Sequence, residues 1–120
     1  MMKNPLQDKS YTFALRIIKL YQYLVFERKE YVLSKQILRS GTSIGANAEE
    51  ATGAYSKKEF LSKITISYKE ARETHYWLRL LRDSKIIEEN KIQPLIIGCE
   101  ELLKIMTSIQ KTTKENLKKH

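Results

Sequence analysis

Leu38-Arg39-Ser40-Gly41-Thr42-Ser43-Ile44-Gly45-Ala46-Asn47-Ala48-Glu49-Glu50-Ala51 is the stretch whose reading decides how this chain folds. Its small residues lie between runs of large apolar ones, and they admit two readings. As a loop, the glycines and serines break a helix and the exposed amides cradle a phosphate. As a helix, Ile37, Gly41, Ile44, Ala48, Ala51 and Tyr55 follow a 4-3-4-3-4 spacing that places them on one face. A phosphate loop needs G-x-x-x-x-G-K-[ST] after a strand. Gly41 and Gly45 are only four apart, no lysine follows Gly45, and no β-type run precedes it, so the spacing predicts a helix. Each glycine then costs about 1 kcal/mol relative to alanine. Close approach of a second helix supplies the offset.

Working outward, the next segment opens on Ser56-Lys57-Lys58-Glu59, a capping box flanked by Tyr55 and Phe60 as a staple pair. Phe60, Ile64, Ser67, Ala71, Thr74, Leu78 and Leu81 then form a strict helical seam. Its middle is small at Ser67, Ala71 and Thr74, like the second helix's seam at Gly41 and Ala48, and with Ile44 and Gly45 these are the expected helix-packing residues. The two stretches are therefore expected to face each other. Ser40, Thr42 and Ser43 are expected to bond carbonyls one turn back or a neighbouring helix. Upstream, Ser34 reads as the N-cap of the second helix, with Leu33 and Leu38 as its staple and Gly53 just past its end.

The first helix starts at Asp8 or Ser10 and carries Tyr11, Ala14, Leu15, Ile18, Tyr21, Leu24 and Val25 on its apolar face. It ends within residues 26–29. The fourth starts between Glu88 and Lys91, and its seam is Ile92, Leu95, Cys99, Leu102, Met106 and Ile109. Pro94 fits it only in the first turn. Short connections make sequential helices antiparallel neighbours. The expected architecture is all-α, an antiparallel up-down-up-down four-helix bundle over residues 8–115. A flexible lead-in (1–7) precedes it and a frayed basic tail (116–120) follows.

The 120-residue chain has a net charge of +8, which points toward polyanions. The excess is +3 over residues 1–56, +4 over 57–85 and +1 over 86–120. The single cysteine, Cys99, excludes an intrachain disulfide and a cysteine-based zinc site, and suits a cytoplasmic setting. No apolar run approaches the ~20 residues of a membrane span. The N-terminus lacks a signal-type apolar segment, so no membrane partner is expected.

Helical bundles hold di-iron through Glu-x-x-His pairs. This sequence has none, and its two histidines, His75 and His120, are far apart. No metal, no cofactor and no catalytic residues are expected, and the chain reads as non-enzymatic. The outer face of the third helix is more informative. Lys69, Arg72, Tyr76 and Arg79 recur at 3-4-3 spacing opposite the seam. This stripe fits phosphates with a base on Tyr76. It also fits a solvated face paired with Glu73 and Asp83 at i,i+4. With Trp77 and His75 beside Tyr76, it fits a subunit interface as well. Arg16 and Lys19 add cations on the first helix.

Residues 33–51, with Tyr68-Lys69-Glu70-Ala71-Arg72-Glu73-Thr74-His75-Tyr76-Trp77-Leu78-Arg79-Leu80-Leu81, resemble the bacterial four helix bundle protein family. That family includes proteins encoded by intervening sequences within large-subunit ribosomal RNA genes. The resemblance spans about residues 7–115 and departs at the start of the fourth helix. It implies an antiparallel bundle that assembles as a ring-shaped homopentamer, with no established catalytic residues. A relative, the accessory variability determinant of diversity-generating retroelements, binds nucleic acid and a reverse transcriptase through its basic pentamer. Five copies of +8 would give a particle of about +40. The expected function is an oligomeric bundle that binds RNA or DNA, or a nucleic-acid-processing protein partner, through a basic surface. The alternative is a protein–protein assembly module without nucleic-acid binding.

Overall fold

The computed structural model describes residues 4–119. They form α1 (Pro5–Phe26), α2 (Leu33–Thr52), α3 (Lys57–Asp83) and α4 (Glu89–Lys118). Contacts across the helix pairs fix the topology. Ile17 meets Gly41 while Ser10 meets Gly45. Ser67 bonds Ile44 while Thr74 bonds Ser40. Gln110 bonds Thr65 while Arg82 bonds Gln93. Lys9 pairs with Glu101 while Arg28 pairs with Glu88. In each case one number rises as the other falls, so all four neighbouring pairs are antiparallel. The bundle is up-down-up-down and 52 × 24 × 23 Å in extent. α2 packs most extensively against α3, and α1 approaches α4 least.

The decisive stretch is helical throughout, and both glycines lie inside α2. Its close approach has a different partner from the one expected. A Cβ on Gly41 would lie 2.8 Å from Ile17 Cγ1, and one on Gly45 would lie 3.3 Å from the Ser10 carbonyl, so both glycines admit α1 rather than α3. The α3 contact falls to Ser40 and Ile44. The Ser67 hydroxyl donates to the Ile44 carbonyl at 2.7 Å, and Thr74 Oγ1 lies 2.8 Å from Ser40 Oγ. Ser40 and Gly41 are about 100° apart around the helix, which splits the small residues between two neighbours. Thr42 and Ser43 donate one turn back, to the Leu38 and Arg39 carbonyls. Ser67, Ala71 and Thr74 are buried on α3, and Ala71 accepts from the Cys99 thiol of α4.

The expected seams of α3 and α4 match the buried residues, with Phe60 and Ile109 packed at the margin. α1 is a correction. Its buried residues are Leu6, Ser10, Phe13, Ile17, Leu20 and Leu24. Tyr11, Leu15 and Ile18, assigned to the core, are 67%, 48% and 38% exposed. The helix carries two apolar stripes, and periodicity alone does not rank them. The glycine cradle on α2 selects the stripe that contains Ile17.

Helix ends also shifted. α1 begins at Pro5 because the Asn4 side chain accepts from the Gln7 amide at 3.1 Å and proline fits the first helical position. Residues 5–7 are therefore helical rather than a lead-in, and residues 1–3 lie outside the described residues. At the other end α4 runs to Lys118, so residues 116–118 are helical and only Lys119 of the described tail lies beyond. Tyr55 is 98% exposed and staples nothing, although Ser56 caps Glu59 as expected. Pro94 sits in the second turn of α4. It and Asn90, whose carbonyl it leaves without a donor, are both exposed, so that carbonyl is open to solvent.

Ser34 does not cap α2; Glu30 does. Its carboxylate accepts from the amides of Val32, Leu33 and Ser34 at 3.1, 3.0 and 2.7 Å. A negative charge there also complements the helix dipole. The Ser34 hydroxyl donates to the Glu30 carbonyl instead. Glu30→Ala is expected to cost about 1–2 kcal/mol by removing this cap. A urea midpoint equal to that of the parent chain would contradict that role.

Candidate nucleic-acid interface

On α3 the side chains opposite the core divide by charge. Glu70 and Glu73 turn toward α2, where both pair with Arg39. Glu73 also accepts from the Trp77 indole N–H at 2.9 Å. Asp83, at the end of the helix, pairs with Arg82, which holds its carboxyl below the usual range. The i,i+4 partners expected for Lys69 and Arg79 are thus engaged elsewhere. Among the described residues, no carboxylate lies within 4.0 Å of the cationic groups of Lys69, Arg72 or Arg79.

Tyrosines orient the two arginines instead. Arg72 Nη1 donates to the Tyr68 hydroxyl at 3.2 Å, and its guanidinium lies 6.0 Å from that ring's centroid. The Arg79 guanidinium lies 5.9 Å from the Tyr76 ring centroid. A tyrosine fixes the direction of a guanidinium without neutralising it, which a carboxylate would do. Arg72 and Arg79 line a groove of about 590 Å³ between α3 and α4, with Lys104 on the opposite wall. At its base His75 Nε2 lies 3.0 Å from Glu100 Oε2, joining the two helices.

Arg16 and Lys19 belong to a different groove. With Tyr23 and Lys91 they line a cleft of about 270 Å³ between α1 and α4. Lys91 lies 4.3 Å from the Tyr23 ring centroid and donates to its hydroxyl at 3.3 Å, which holds the ammonium pKa above its ordinary value. Four of the six expected nucleic-acid residues therefore line two basic grooves that share α4 as a wall, Arg72 and Arg79 one and Arg16 and Lys19 the other, while Lys69 and Tyr76 lie on α3 outside both. Lys104 and Lys91 were missed because nothing local in the sequence shows which α4 lysines face α1 and α3.

A third groove exceeds both in volume. It measures about 670 Å³ between α1 and α2, and Tyr11, Ala14, Leu15, Ile18, Gly45 and Ala46 line it. This is the second apolar stripe of α1, left uncovered within one chain. The expected interface residues lie on the other side of the bundle. Tyr76 is exposed, while Trp77 and His75 are half-buried and engaged with Glu73 and Glu100.

Cys99 is fully buried and its thiol donates to the Ala71 carbonyl at 3.3 Å. Burial, reinforced by the charge of Glu100, pushes its pKa up to about 12. A thiol that stays protonated is a poor nucleophile. Among the described residues, no three His, Cys, Asp or Glu side chains gather as metal ligands, and no helix is long and apolar enough to cross a membrane.

A family model described as 23S rRNA-intervening sequence protein matches residues 2–108. A crystal structure at 1.70 Å, of a protein with unknown function from the S23 ribosomal protein family of Bacteroides thetaiotaomicron VPI-5482, is similar to this chain. The two are 49% identical with a TM-score of 0.87, over 88% of this chain and 98% of that one. Comparison with curated proteins gives no match.

Proposed function

This chain belongs to the 23S rRNA-intervening sequence protein family, and from that premise we propose that it is a non-enzymatic, oligomeric nucleic-acid-binding module of the cytoplasm. The observation that carries the reading is the segregation of charge on α3. Glu70, Glu73 and Asp83 are paired at Arg39 and Arg82, while Arg72 and Arg79, without a carboxylate partner, line a groove with Lys104, where Glu100 is held by His75. Cations oriented but not neutralised suit phosphates, whose contacts release counterions. The family description, which names an rRNA intervening sequence, supports RNA as the first polyanion to try.

The test is titration of labelled single- and double-stranded oligonucleotides at about 50 mM and about 150 mM salt, where phosphate contacts give a steep salt dependence. Absence of binding at the lower salt overturns the reading.

The assembly reading has its own support in the uncovered α1–α2 groove. Tyr11, Leu15 and Ile18 form a continuous apolar stripe, of the kind buried when two copies associate. A second copy seated there leaves both basic grooves open to a shared ligand. Ile18→Glu is expected to reduce the mass measured by light scattering to that of one chain while the helical signal persists. A variant that keeps the parent mass would remove this groove as the contact. If the oligomer forms but binds no nucleic acid, the chain is an assembly module alone.

A further inference from the structure

We propose that Tyr76 is a platform on which an unpaired base stacks, so that the nucleic acid taken by the α3–α4 groove is single-stranded. The inference rests on the polyanion reading above and adds a substrate class to it. Lysines and arginines alone do not separate a single strand from a duplex, because both present phosphates. An aromatic ring among those cations does, because the faces of paired bases are covered by their neighbours in the stack.

Tyr76 is 49% exposed, yet it is not a loose surface ring. It meets Trp77 in a T-shaped contact, with centroids 5.3 Å apart and planes at 66°. Trp77 packs against the core, and its indole N–H is fixed on Glu73. Glu73 is in turn held by Arg39 of α2. A chain of contacts from a second helix thus braces an exposed ring. A ring that is already positioned loses little freedom when a base lands on it. The Arg79 guanidinium lies over the same ring, 5.9 Å from its centroid, and Arg72 lies one turn before it, both without carboxylate partners. They are placed to take the phosphates that flank a stacked base.

The experiment compares binding of one RNA sequence as a single strand and as a duplex, at constant low salt, by fluorescence anisotropy. The parent chain is expected to prefer the single strand by about tenfold, within the range for one stacked base. Tyr76→Ala should remove that preference by weakening the single strand while the duplex affinity and both salt slopes stay unchanged. Tyr76→Phe, which keeps the ring, should restore it. A strand carrying 2-aminopurine should be quenched by the parent chain and not by Tyr76→Ala, a signal that a purely structural role would not move. Equal affinity for both forms, or an equal loss for both in Tyr76→Ala, overturns the proposal while leaving polyanion binding in place. A fall in oligomer mass for Tyr76→Ala overturns it in favour of a subunit contact. Failure of the parent chain to bind either RNA at about 50 mM salt overturns the underlying reading itself.

Discussion

Gly41→Leu is expected to destabilise the bundle by about 3 kcal/mol, a fall of about 10 °C in melting temperature for a domain of this size. A bare Cβ there already lies 2.8 and 2.9 Å from two carbons of Ile17. Ile17 is fully buried and β-branched, so its side chain has one preferred rotamer in a helix and nowhere to retreat. The leucine branch would force α1 away from α2 and open the core along its length. Two other glycines set the scale. At Gly45 a Cβ would sit 3.3 Å from Ser10, so Gly45→Ala sets a small clash against about 1 kcal/mol of helix propensity. At Gly53 the nearest atom is 3.7 Å away, an ordinary contact, and alanine should be close to neutral. Thermal melts of the three variants should rank in that order. An unshifted midpoint for Gly41→Leu would mean that α1 does not lie against this face of α2.

The second large effect concerns binding. Arg72→Glu with Arg79→Glu changes the charge of the α3–α4 groove by four units at the two guanidiniums that tyrosines orient. Affinity for a single strand at low salt is expected to fall at least about a hundredfold, and the log–log salt slope to flatten by about two. The melting temperature should hold, because both side chains are exposed. The mass of the assembly should hold too if copies meet at the α1–α2 groove. Lys57→Glu with Lys58→Glu makes the same change of net charge in the first turn of α3, where acidic residues suit the helix dipole. That variant should bind far better than the arginine pair. Equal losses would show that total charge matters and the groove does not.

The physical reason some features were legible and others were not is visible residue by residue. α2, α3 and α4 each carry one apolar seam, so a 3.6-residue period identifies the buried face directly. α1 carries two, and only the partner surface on α2 decides between Ile17 and Ile18. The cap at Ser56 follows a local rule, whereas Glu30 reaches three amides from outside the usual position, beyond any short pattern. For the site, 3-4-3 spacing alone places Lys69, Arg72, Tyr76 and Arg79 on one face. Whether they keep their charge depended on cross-helix register. Arg39 of α2 draws Glu70 and Glu73 away, and no spacing within α3 reveals that. The same register brings Lys104 to the groove and sends Arg16 and Lys19 to a separate one.

Cys99 has a consequence for how any assembly behaves. It is the sole sulfhydryl, sealed inside and protonated, so two copies cannot be tied together by oxidation. Whatever association the protein makes therefore rests on non-covalent contacts and answers to mass action.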